Sequence, residues 1–459
     1  MQGHTPIPHE PTQAERQVVS DLRPPDHSNR DDDETDGRDA QQDGDSCCDG
    51  LRVLCWDDVC PPGDSIEKIA EASYAEVYRI TNAHGTSIIK VIRLESPIKA
   101  QTKAQQRSGL VDEEPRSEED MEGELQISEW LSDIPGFVVF KERYLVEGKA
   151  PKALVETHQA FHRRMKRKDP DRLQYYPSPS RYLDETRFMV VELGDAGTAL
   201  EDFPLTSISQ VWDVFLHTAL ALARAEDLAE FEHRDLHEGN ICIRQARPPI
   251  TEPPSERPTT TTTPHPGPLR FGASGLDVTL LDYGLSRAVD PNDFADPPRP
   301  SSVIANDLER DLSIFQSTHA PQCRVYRQMR SFLVHGDRCH VMPPEQHSEP
   351  YPAVVAAAAA TGSSAAGAPI SWRAFQPYTN VLWLAYLYDY LVSHFRGSRK
   401  ELAWFRRETA ELWEHLDPDA PREVLSFPCA GAVVGFAVEA GWVEVRQLED
   451  VWGEQSQLG

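Results

Sequence analysis

The chain has 459 residues and a formal net charge of -28, a balance that repels the phosphates of nucleic acids and membranes and attracts basic partners. Its eight cysteines form no C-x-x-C pair and no Cys/His metal spacing, which excludes a dense disulfide framework and favours a reducing intracellular compartment. No apolar run is long enough to span a bilayer, and the segment from Met1 to Glu15 is too polar for a signal peptide.

The first half of the chain is predicted to be rich in strands. Residues 1–50 are polar and acidic, and we expect a disordered acidic tail there. Residues 51–195 carry β-branched and apolar runs, which predict a small N-lobe with loops at 101–118 and 151–181. Its predicted elements are strand–turn–strand over Ile66–Ile80, a strand over Thr86–Leu94, a helix over Met121–Leu131, and strands over Phe137–Val146 and Arg187–Leu193.

The second half changes to helical periodicity. Residues 196–459 are predicted to form a larger C-lobe, with low-complexity insertions at 245–268 and 347–370. Its predicted elements are helices over Ile208–Phe231, Asn306–Met329, Thr379–His394, Glu401–Leu416 and Ala430–Leu448, and a short strand over Asp277–Leu281. A strand-rich part followed by a helix-rich part indicates the α+β class, with two lobes and a cleft between them.

The most informative stretch is 231–240, which reads FEHRDLHEGN. The pattern H-R-D-L-x-x-x-N is typical of the catalytic loop of protein kinases. In that loop the aspartate accepts the proton of the substrate hydroxyl and the asparagine holds a magnesium ion. We therefore assign Asp235 as catalytic base and Asn240 as magnesium ligand; the alternative is a polar surface loop. His237 stands where many protein kinases have a lysine, and a polar loop residue is its alternative.

Three further residues fit the ATP and magnesium site of a kinase. Lys90 lies inside an apolar strand, where its ammonium group needs anions such as phosphates or a carboxylate. An edge-strand lysine facing water is the alternative. Glu124 lies early in the next helix, as the kinase Lys–Glu pair requires, and Glu122 and Glu129 compete with it for this role. Asp282 follows a buried strand and precedes Tyr-Gly, so it occupies the D-F-G position and is predicted to bind magnesium.

The phosphate loop departs from the kinase pattern G-x-G-x-x-G. The matching stretch, residues 69–78, reads IAEASYAEVY, with alanine at all three glycine positions. The residues predicted to line the nucleotide site here are Ile69, Ala70, Ala72, Ala75 and Val77. Alanine is the smallest alternative to glycine, so both an active kinase and a pseudokinase with weak ATP binding remain open. The retained lysine, aspartates and asparagine favour activity.

Four segments together resemble the haspins, atypical serine/threonine kinases of chromosomes. They are 231–237 with Gly239-Asn240, 281–287 (LDYGLSR), 377–384 (PYTNVLWL) and the alanine-rich stretch over Ile66–Arg79. The resemblance covers roughly residues 51–450 apart from the insertions. It implies a nuclear, chromosome-associated kinase that uses ATP and Mg²⁺. The implied substrate is a threonine near the start of the histone H-three tail, without activation-loop phosphorylation. We expect a monomer that binds neither nucleic acid nor membrane directly.

The resemblance also assigns residues by position. The residues that match the family's ATP and catalytic residues are Lys90, Glu124, Asp235, His237, Asn240 and Asp282. The implied adenine hinge is Glu192, Leu193, Gly194 and Asp195. Glu309 and Asp311 fall where acidic residues of the family hold the basic tail, and a solvated helix face is their alternative.

Three positions depart from the family pattern. The chain has Asp-Tyr-Gly where haspins usually read Asp-Tyr-Thr. Ala199 stands where an acidic residue helps to recognise an arginine of the tail, and Arg324 lies in a region that is more acidic in the family. A pseudokinase scaffold and a small-molecule kinase of the aminoglycoside/choline type are the alternative functions. The arginine before Asp235 and the 377–384 segment argue against the small-molecule kinase.

Overall fold

The computed structural model describes residues 51–448, except 73, 108–109, 111–113, 173, 251–269, 294, 296–298 and 351–370. The predicted tail and most of both predicted insertions therefore lie outside the described residues. Within them the chain divides into two compact units. A sheet unit contains residues 51–122 and Val139–Asp195, and a helical unit contains Gly123–Val138 and the residues from 196 onwards. The predicted α+β class is confirmed.

The sheet unit is built on one six-stranded sheet with the strand order β1-β5-β6-β4-β3-β2. Its strands are β1 (Val53–Leu54), β2 (Ser65–Glu71), β3 (Glu76–Asn82), β4 (Gly85–Arg93), β5 (Phe140–Glu147) and β6 (Arg187–Gly194). β1 pairs parallel to β5, and the other neighbours pair antiparallel. Alternation of buried side chains along β3 and β4 places one face of these strands against an apolar core.

Among the residues that the structure describes, four helices begin within the sheet unit. They are α1 (Trp56–Val59), α2 (Lys103–Arg107), α3 (Glu118–Leu131) and α4 (Lys152–Lys168). The prediction of a loop over 101–118 was wrong for α2, and the prediction of a loop over 151–181 was wrong for α4. Leu154, His158 and Phe161 are buried at helical spacing along it, and the helix follows Pro151. The basic residues in the last turns of α4 occupy exposed positions, so the buried periodicity of the helix ends at Phe161. Leu154 belongs to the same buried core as Trp56.

The helical unit is organised around a long buried helix. Its helices are α5 (Ile208–Ala229), α6 (Ser313–Gln316), α7 (Gln322–His335), α8 (Tyr378–His394), α9 (Arg399–Glu408), α10 (Ala410–Leu416) and α11 (Ala430–Glu439). α5 begins with a capping box between Ser207 and Gln210 and is buried along most of its length. Trp212 on α5 packs edge-on against Phe405 and Trp442, with ring centroids 4.8 and 4.9 Å away. No helix in the described part of the chain has the length and apolarity needed to cross a membrane.

Three predicted helices of this unit are interrupted. The one predicted over Ala430–Leu448 ends at Glu439, and Gly441 follows with a positive φ of 72°. The prediction of a single helix over Asn306–Met329 was wrong, because the chain forms a short 3₁₀ turn, α6 and then α7 there. The predicted helix over Glu401–Leu416 breaks at Thr409, which separates α9 from α10. The unit also holds a three-stranded sheet, β7 (Thr198–Ala199), β8 (Ile241–Gln245) and β9 (Leu276–Leu280), and a pair, β10 (Arg287–Val289) and β11 (Val303–Ala305).

Residues 123–138 group with the helical unit, whereas the predicted N-lobe contains them. The reason is a backbone connection to β9. Leu280 donates its N–H to the carbonyl of Gly136 over 2.8 Å, and Val138 donates to the carbonyl of Leu280 over 3.2 Å. The ring of Phe137 also packs edge-on against Phe231, 5.3 Å between centroids. Such contacts between distant segments leave no periodic signal in the sequence.

Candidate active site

The catalytic motif begins where α5 ends. Glu230 caps the helix in a left-handed conformation, with φ 41°, and turns the chain toward β10. Glu232 and Arg287 then exchange two backbone hydrogen bonds of 2.9 Å. Arg234 also has a positive φ, 64°, which is strained for a residue other than glycine. The backbone of the motif is therefore fixed at both the helix end and the strand.

A buried ion pair between two residues of the motif stabilises its conformation. Glu232 and Arg234 are both fully buried, and the Nε of Arg234 donates to Glu232 Oε2 over 3.1 Å. Glu232 also accepts hydrogen bonds from the backbone N–H of Gln376 (2.7 Å) and from the Thr379 hydroxyl (2.9 Å). Arg234 donates to the carbonyl of Trp372 over 2.7 Å. Because each charge has several partners, the burial of this pair is tolerated and holds Arg234 in its strained conformation.

Asp235 is held by donors on both of its oxygens. The hydroxyl of Tyr326, on α7, donates to Oδ1, and Asn240 Nδ2 lies 3.5 Å from Oδ2. Asn240 Nδ2 also donates to the backbone carbonyl of Asp235 over 2.8 Å. The pKa of Asp235 is raised to about 7, mainly by burial. The hydrogen bonds from Tyr326 and Asn240 act to lower this pKa, and the charge of Asp282 acts to raise it. About 20% of the side chain stays exposed, so a substrate hydroxyl has access to it.

The two histidines of the motif have different surroundings. His233 is fully buried, and burial lowers its pKa to about 4, so the ring is neutral at pH 7. Its Nε2 lies 3.1 Å from the carbonyl oxygen of Leu281, which ties the motif to the segment before Asp282. His237 accepts the N–H of Gly239 at Nδ1 over 3.0 Å, and its Nε2 lies 3.9 Å from Asp235 Oδ1. Burial lowers the pKa of His237 as well.

Asp282 and Glu124 both lie beside Gly284. Asp282 has a φ of 66°, in the left-handed region, immediately after β9 and Leu281. A Cβ added to Gly284 would lie 3.4 Å from Glu124 Oε2 and 3.5 Å from Asp282 Oδ1, which is ordinary van der Waals contact and shows that both carboxylates lie close to this residue. Of the three glutamates that compete in the sequence, Glu122 forms a surface ion pair with Arg143 (3.0 Å).

The helical unit therefore brings together Asp235, His237, Asn240, Asp282 and Glu124. Among the described residues, no group of three or more His, Cys, Asp or Glu side chains is arranged to hold a metal unaided. The amide oxygen of Asn240 and the carboxylate of Asp282 are hard oxygen donors. Magnesium typically takes one or two such protein ligands and completes its shell with phosphates and water. The residues present fit a Mg²⁺ ion that binds together with a nucleotide.

Lys90 lies in the sheet unit, on a strand in the interior of the sheet. It stands between Val77 of β3 and Val191 of β6 in the register of β4, and it is half-buried. Because β4 has a neighbour on each side, the alternative of an edge-strand lysine does not hold. An ammonium group on a central strand requires anionic partners on its face of the sheet.

The alanine-rich loop connects β2 and β3, as the sequence predicts. Ala70 pairs with Val77 after a register shift that leaves Ile69 unpaired, and Ala72 donates its N–H to the carbonyl of Ala75 over 2.9 Å. None of the three alanines has a positive φ. The backbone angles at these three positions therefore do not require glycine. Ser73 lies outside the described residues.

A buried ion cluster fixes the base of this loop. Lys68 on β2 contacts Glu71 (2.8 Å) and Glu76, the last and first residues of the two strands. His158 on α4 lies 2.8 Å from Glu76 Oε1. Burial acts to raise the pKa of Glu71. His162, whose Nε2 lies 3.3 Å from Glu71 Oε1, and the charge of Lys68 outweigh burial and lower the pKa to about 2. The Glu71 carboxylate is therefore ionised at pH 7, and the cluster joins the two strand ends of the hairpin.

A tyrosine also contacts this loop, because Tyr176 donates its hydroxyl to the carbonyl of Ala72 over 2.6 Å.

The predicted adenine hinge lies at the end of β6. The four predicted hinge residues are Glu192, Leu193, Gly194 and Asp195, of which the first three end β6. Glu192 accepts the Ser87 hydroxyl over 2.6 Å, and Leu193 is buried. Asp195 is the last residue of the sheet unit, so the chain passes from one unit to the other at this segment.

The two acidic residues predicted to hold a basic tail differ in availability. Glu309 forms a two-pronged ion pair with the buried Arg330, with both distances 2.8 Å, so a peptide cation would compete with that arginine. Asp311 is exposed, and the hydroxyl and N–H of Ser313 lower its pKa. Arg324, the basic departure from the family pattern, pairs with Asp419 over 2.6 Å.

Sequence reasoning missed the residues that contact the catalytic motif from a distance. Tyr326 and Asn380 belong to helices that begin about 90 and 140 positions downstream of the motif. The PYTNVLWL segment, recognised only as a family marker, supplies Thr379 and Asn380 to the motif. A buried asparagine and threonine at the start of an apolar helix were the available signal, because buried polar groups need partners.

Comparisons with known proteins also indicate a protein kinase. The family described as "Haspin like kinase domain" matches residues 46–427. The "Serine/threonine-protein kinase haspin homolog hrk1" of Schizosaccharomyces pombe is 29% identical over 359 residues, 74% of this chain and 59% of that protein. The "Serine/threonine-protein kinase haspin homolog" of Drosophila melanogaster is 27% identical over 70% of this chain and 47% of its own length. For the Mus musculus "Serine/threonine-protein kinase haspin" the identity is 24%, over 79% and 40%.

The chain thus spans between 40% and 59% of the length of these relatives. The family match, in contrast, covers most of this chain and includes the catalytic loop, the Asp-Tyr-Gly segment and the PYTNVLWL segment. Together with the sheet that carries Lys90, these observations show that the chain belongs to the haspin family of serine/threonine protein kinases.

Proposed function

We propose that the chain transfers the γ-phosphoryl group of ATP to a threonine near the N-terminus of the histone H-three tail, in the nucleus and on mitotic chromosomes. One observation carries the proposal above the others. Asp235 is held by Tyr326 and Asn240 and still keeps about 20% of its side chain exposed. A fixed and accessible carboxylate is what acceptance of a substrate proton requires.

Five residues are assigned to the parts of this reaction. The substrate hydroxyl oxygen forms a bond to the γ-phosphorus while the bond between that phosphorus and the β–γ bridging oxygen breaks, and ADP leaves with the electron pair. Asp235 accepts the hydroxyl proton. Asn240 and Asp282 would hold Mg²⁺, which when bound neutralises charge on the phosphates. We assign Lys90 to the phosphates and Glu124 to the lysine, in the roles that the kinase family implies.

The electrostatic character of the chain supports a basic peptide as substrate. The formal net charge of -28 attracts such a peptide over long range and repels acidic ones. Of the predicted acidic pair, Asp311 is exposed to solvent, whereas Glu309 already forms an ion pair with Arg330. We therefore infer that Asp311 contributes to binding of the tail and that Glu309 mainly shapes the surface beside it.

The proposal is tested with purified protein, radiolabelled ATP and a peptide of the histone H-three tail. A second peptide, in which every threonine is replaced by alanine, is the control. We expect transfer to the first peptide only, and we expect Asp311→Asn to raise the peptide KM by roughly 3- to 10-fold. No transfer, together with no thermal shift by Mg-ATP, would contradict the proposal in favour of a pseudokinase scaffold. Transfer to small amines alone would indicate a small-molecule kinase.

A further inference from the structure

Tyr326 contacts the carboxylate of Asp235, and none of the sequence motifs includes this tyrosine. We propose that Tyr326 is a positioning residue for phosphoryl transfer, which holds Oδ1 of Asp235 so that Oδ2 takes the substrate proton. This inference rests on the proposed kinase function. It concerns a residue of α7, 91 positions after Asp235 in the chain, whose hydroxyl donates to Oδ1.

The surroundings of Asp235 distinguish its two oxygens. Oδ1 faces the Tyr326 hydroxyl and, at 3.9 Å, the Nε2 of His237. Oδ2 has the Nδ2 of Asn240 at 3.5 Å, a weak contact at the limit of hydrogen bonding. A carboxylate with one oxygen bound to a fixed hydroxyl cannot rotate freely about its Cβ–Cγ bond. Oδ2 is therefore the oxygen with the greater remaining capacity to accept a proton.

Tyr326 is itself rigidly held. Its side chain is buried, with 7% of the residue exposed, and its ring packs edge-on against Trp383 of α8, 5.5 Å between centroids. Trp383 is fully buried, and within the described residues its ring nitrogen has no hydrogen-bond partner. Trp383 consequently acts on Tyr326 by packing alone. A tyrosine ring held in this way loses little further freedom when its hydroxyl bonds Asp235.

The same tryptophan holds a second tyrosine, which provides a matched control. Tyr386 also packs edge-on against Trp383, again with centroids 5.5 Å apart. Its hydroxyl donates over 2.5 Å to Oε2 of Glu238, in the same loop as Asp235. Tyr326 and Tyr386 thus share one packing partner and one type of acceptor. They differ in the carboxylate that each one bonds, and only the partner of Tyr326 has a role in the reaction.

The role follows from the geometry of transfer. In the reaction the substrate oxygen bonds to the γ-phosphorus, the phosphorus–oxygen bond to ADP breaks with the electron pair leaving on ADP, and the hydroxyl proton moves to Oδ2. Orientation of the reacting groups contributes a large part of enzymatic rate, and small misplacements lower the rate strongly. Without the Tyr326 hydroxyl, the carboxylate of Asp235 samples orientations in which Oδ2 does not meet the substrate hydroxyl.

The test compares Tyr326→Phe, Tyr386→Phe and the unchanged full chain. Single-turnover phosphoryl transfer to the histone-tail peptide, the KM values for ATP and peptide, and the thermal midpoint are measured for each. We expect Tyr326→Phe to slow transfer about tenfold, a part of the 10²–10⁴-fold attributed to proton acceptance, with both KM values within about twofold. We expect Tyr386→Phe to transfer within about twofold of the unchanged chain, and both variants to unfold at similar temperatures.

Each other result overturns the inference. Equal slowing in both variants would show that the tyrosines serve the packing around Trp383. Unchanged transfer in Tyr326→Phe, with an active unchanged chain, would refute the positioning role and leave the proposed function intact. A faster rate or a lower peptide KM in Tyr326→Phe would show that the hydroxyl occupies the place of the substrate hydroxyl. An unchanged chain that transfers nothing would refute the proposed function and this inference together.

Discussion

His233 donates its backbone N–H to the side-chain oxygen of Asn380 over 3.0 Å, which joins the catalytic motif, residues 231–240, to helix α8. The amide nitrogen of Asn380 donates to the carbonyl of Phe231 and to Glu226 Oε1, both over 2.9 Å. One fully buried amide thus bonds two backbone groups of the motif and a carboxylate of α5. The motif is held in place by the interior of its own unit.

Asn380→Ala should therefore destabilise the protein strongly. The substitution leaves the His233 N–H, the Phe231 carbonyl and Glu226 without this partner in a buried site, and each lost partner costs roughly 1–3 kcal/mol. We expect the free energy of unfolding to fall by at least about 3 kcal/mol, measured by chemical denaturation. Asn292→Ala, at an exposed asparagine of the same unit, should change it by less than about 0.5 kcal/mol. Similar values for both variants would contradict the role of Asn380.

Glu226 predicts a dependence of stability on pH. Burial raises its pKa to about 7, against which the hydrogen bonds from Asn380, Ala430 and Gly431 act. A raised pKa in the folded state means that the stabilising contribution is complete below about pH 4.5 and is lost as the pH rises through about 7. A shift of this size corresponds to about 3 kcal/mol.

Glu226→Gln removes this titration. We therefore expect the unchanged protein to lose stability relative to Glu226→Gln between pH 5 and pH 8, by up to about 3 kcal/mol. Urea denaturation of both proteins at the two pH values measures the difference. The same difference at both pH values would show that Glu226 keeps an ordinary pKa in the fold.

The alanine-rich loop predicts that restoring glycine brings no gain. Ala70, Ala72 and Ala75 have no positive φ, so glycine would relieve no strain and would add flexibility to the unfolded chain. The triple variant Ala70→Gly/Ala72→Gly/Ala75→Gly should lower the free energy of unfolding by roughly 1.5–3 kcal/mol without raising kcat. Steady-state kinetics with varied ATP tests this. An increase in kcat of more than about tenfold would instead indicate that the alanines impair the nucleotide site.

Lys90→Ala should abolish most turnover while leaving the fold intact. Lys90 lies on a central strand, and loss of a preorganised cation at a transferring phosphoryl group costs about 10²-fold or more in kcat/KM. The thermal midpoint should change by only a few degrees. Lys149→Ala is the control, since that exposed lysine forms a surface pair with Asp184. Equal activity in the two variants would show that Lys90 is not part of the site.

Local features of the fold were predictable from the sequence because they depend on short-range patterns. Strands β3, β4 and β6, the long helix α5 and the order of the catalytic segments follow from periodicity and from a motif with fixed spacing. The helix α4 was missed although Leu154, His158 and Phe161 have helical spacing, because five basic residues dominate its last turns.

The partners of the site residues were not predictable, because they are set by contacts between distant segments. Tyr326 meets Asp235 across 91 positions, and Asn380 meets His233 across 147. Glu309 looked like a free acidic residue until the fold paired it with Arg330. The sequence of the alanine-rich loop does not reveal its backbone angles, and the fold shows that none of the three alanines has a positive φ. Sequence motifs therefore identify the residues of the site, whereas the fold determines which hydrogen-bond and ion-pair partners those residues have.

The most direct measurement for the whole account is phosphoryl transfer by Asp235→Asn, with Mg-ATP binding measured on the same preparation. The account predicts that transfer to the histone-tail peptide falls by about 10²–10⁴-fold, while Mg-ATP still raises the thermal midpoint as it does for the unchanged protein. Asparagine keeps the shape of the side chain but cannot accept the proton. Transfer at an unchanged rate by Asp235→Asn would contradict the assignment of Asp235 as the base, and with it the central claim.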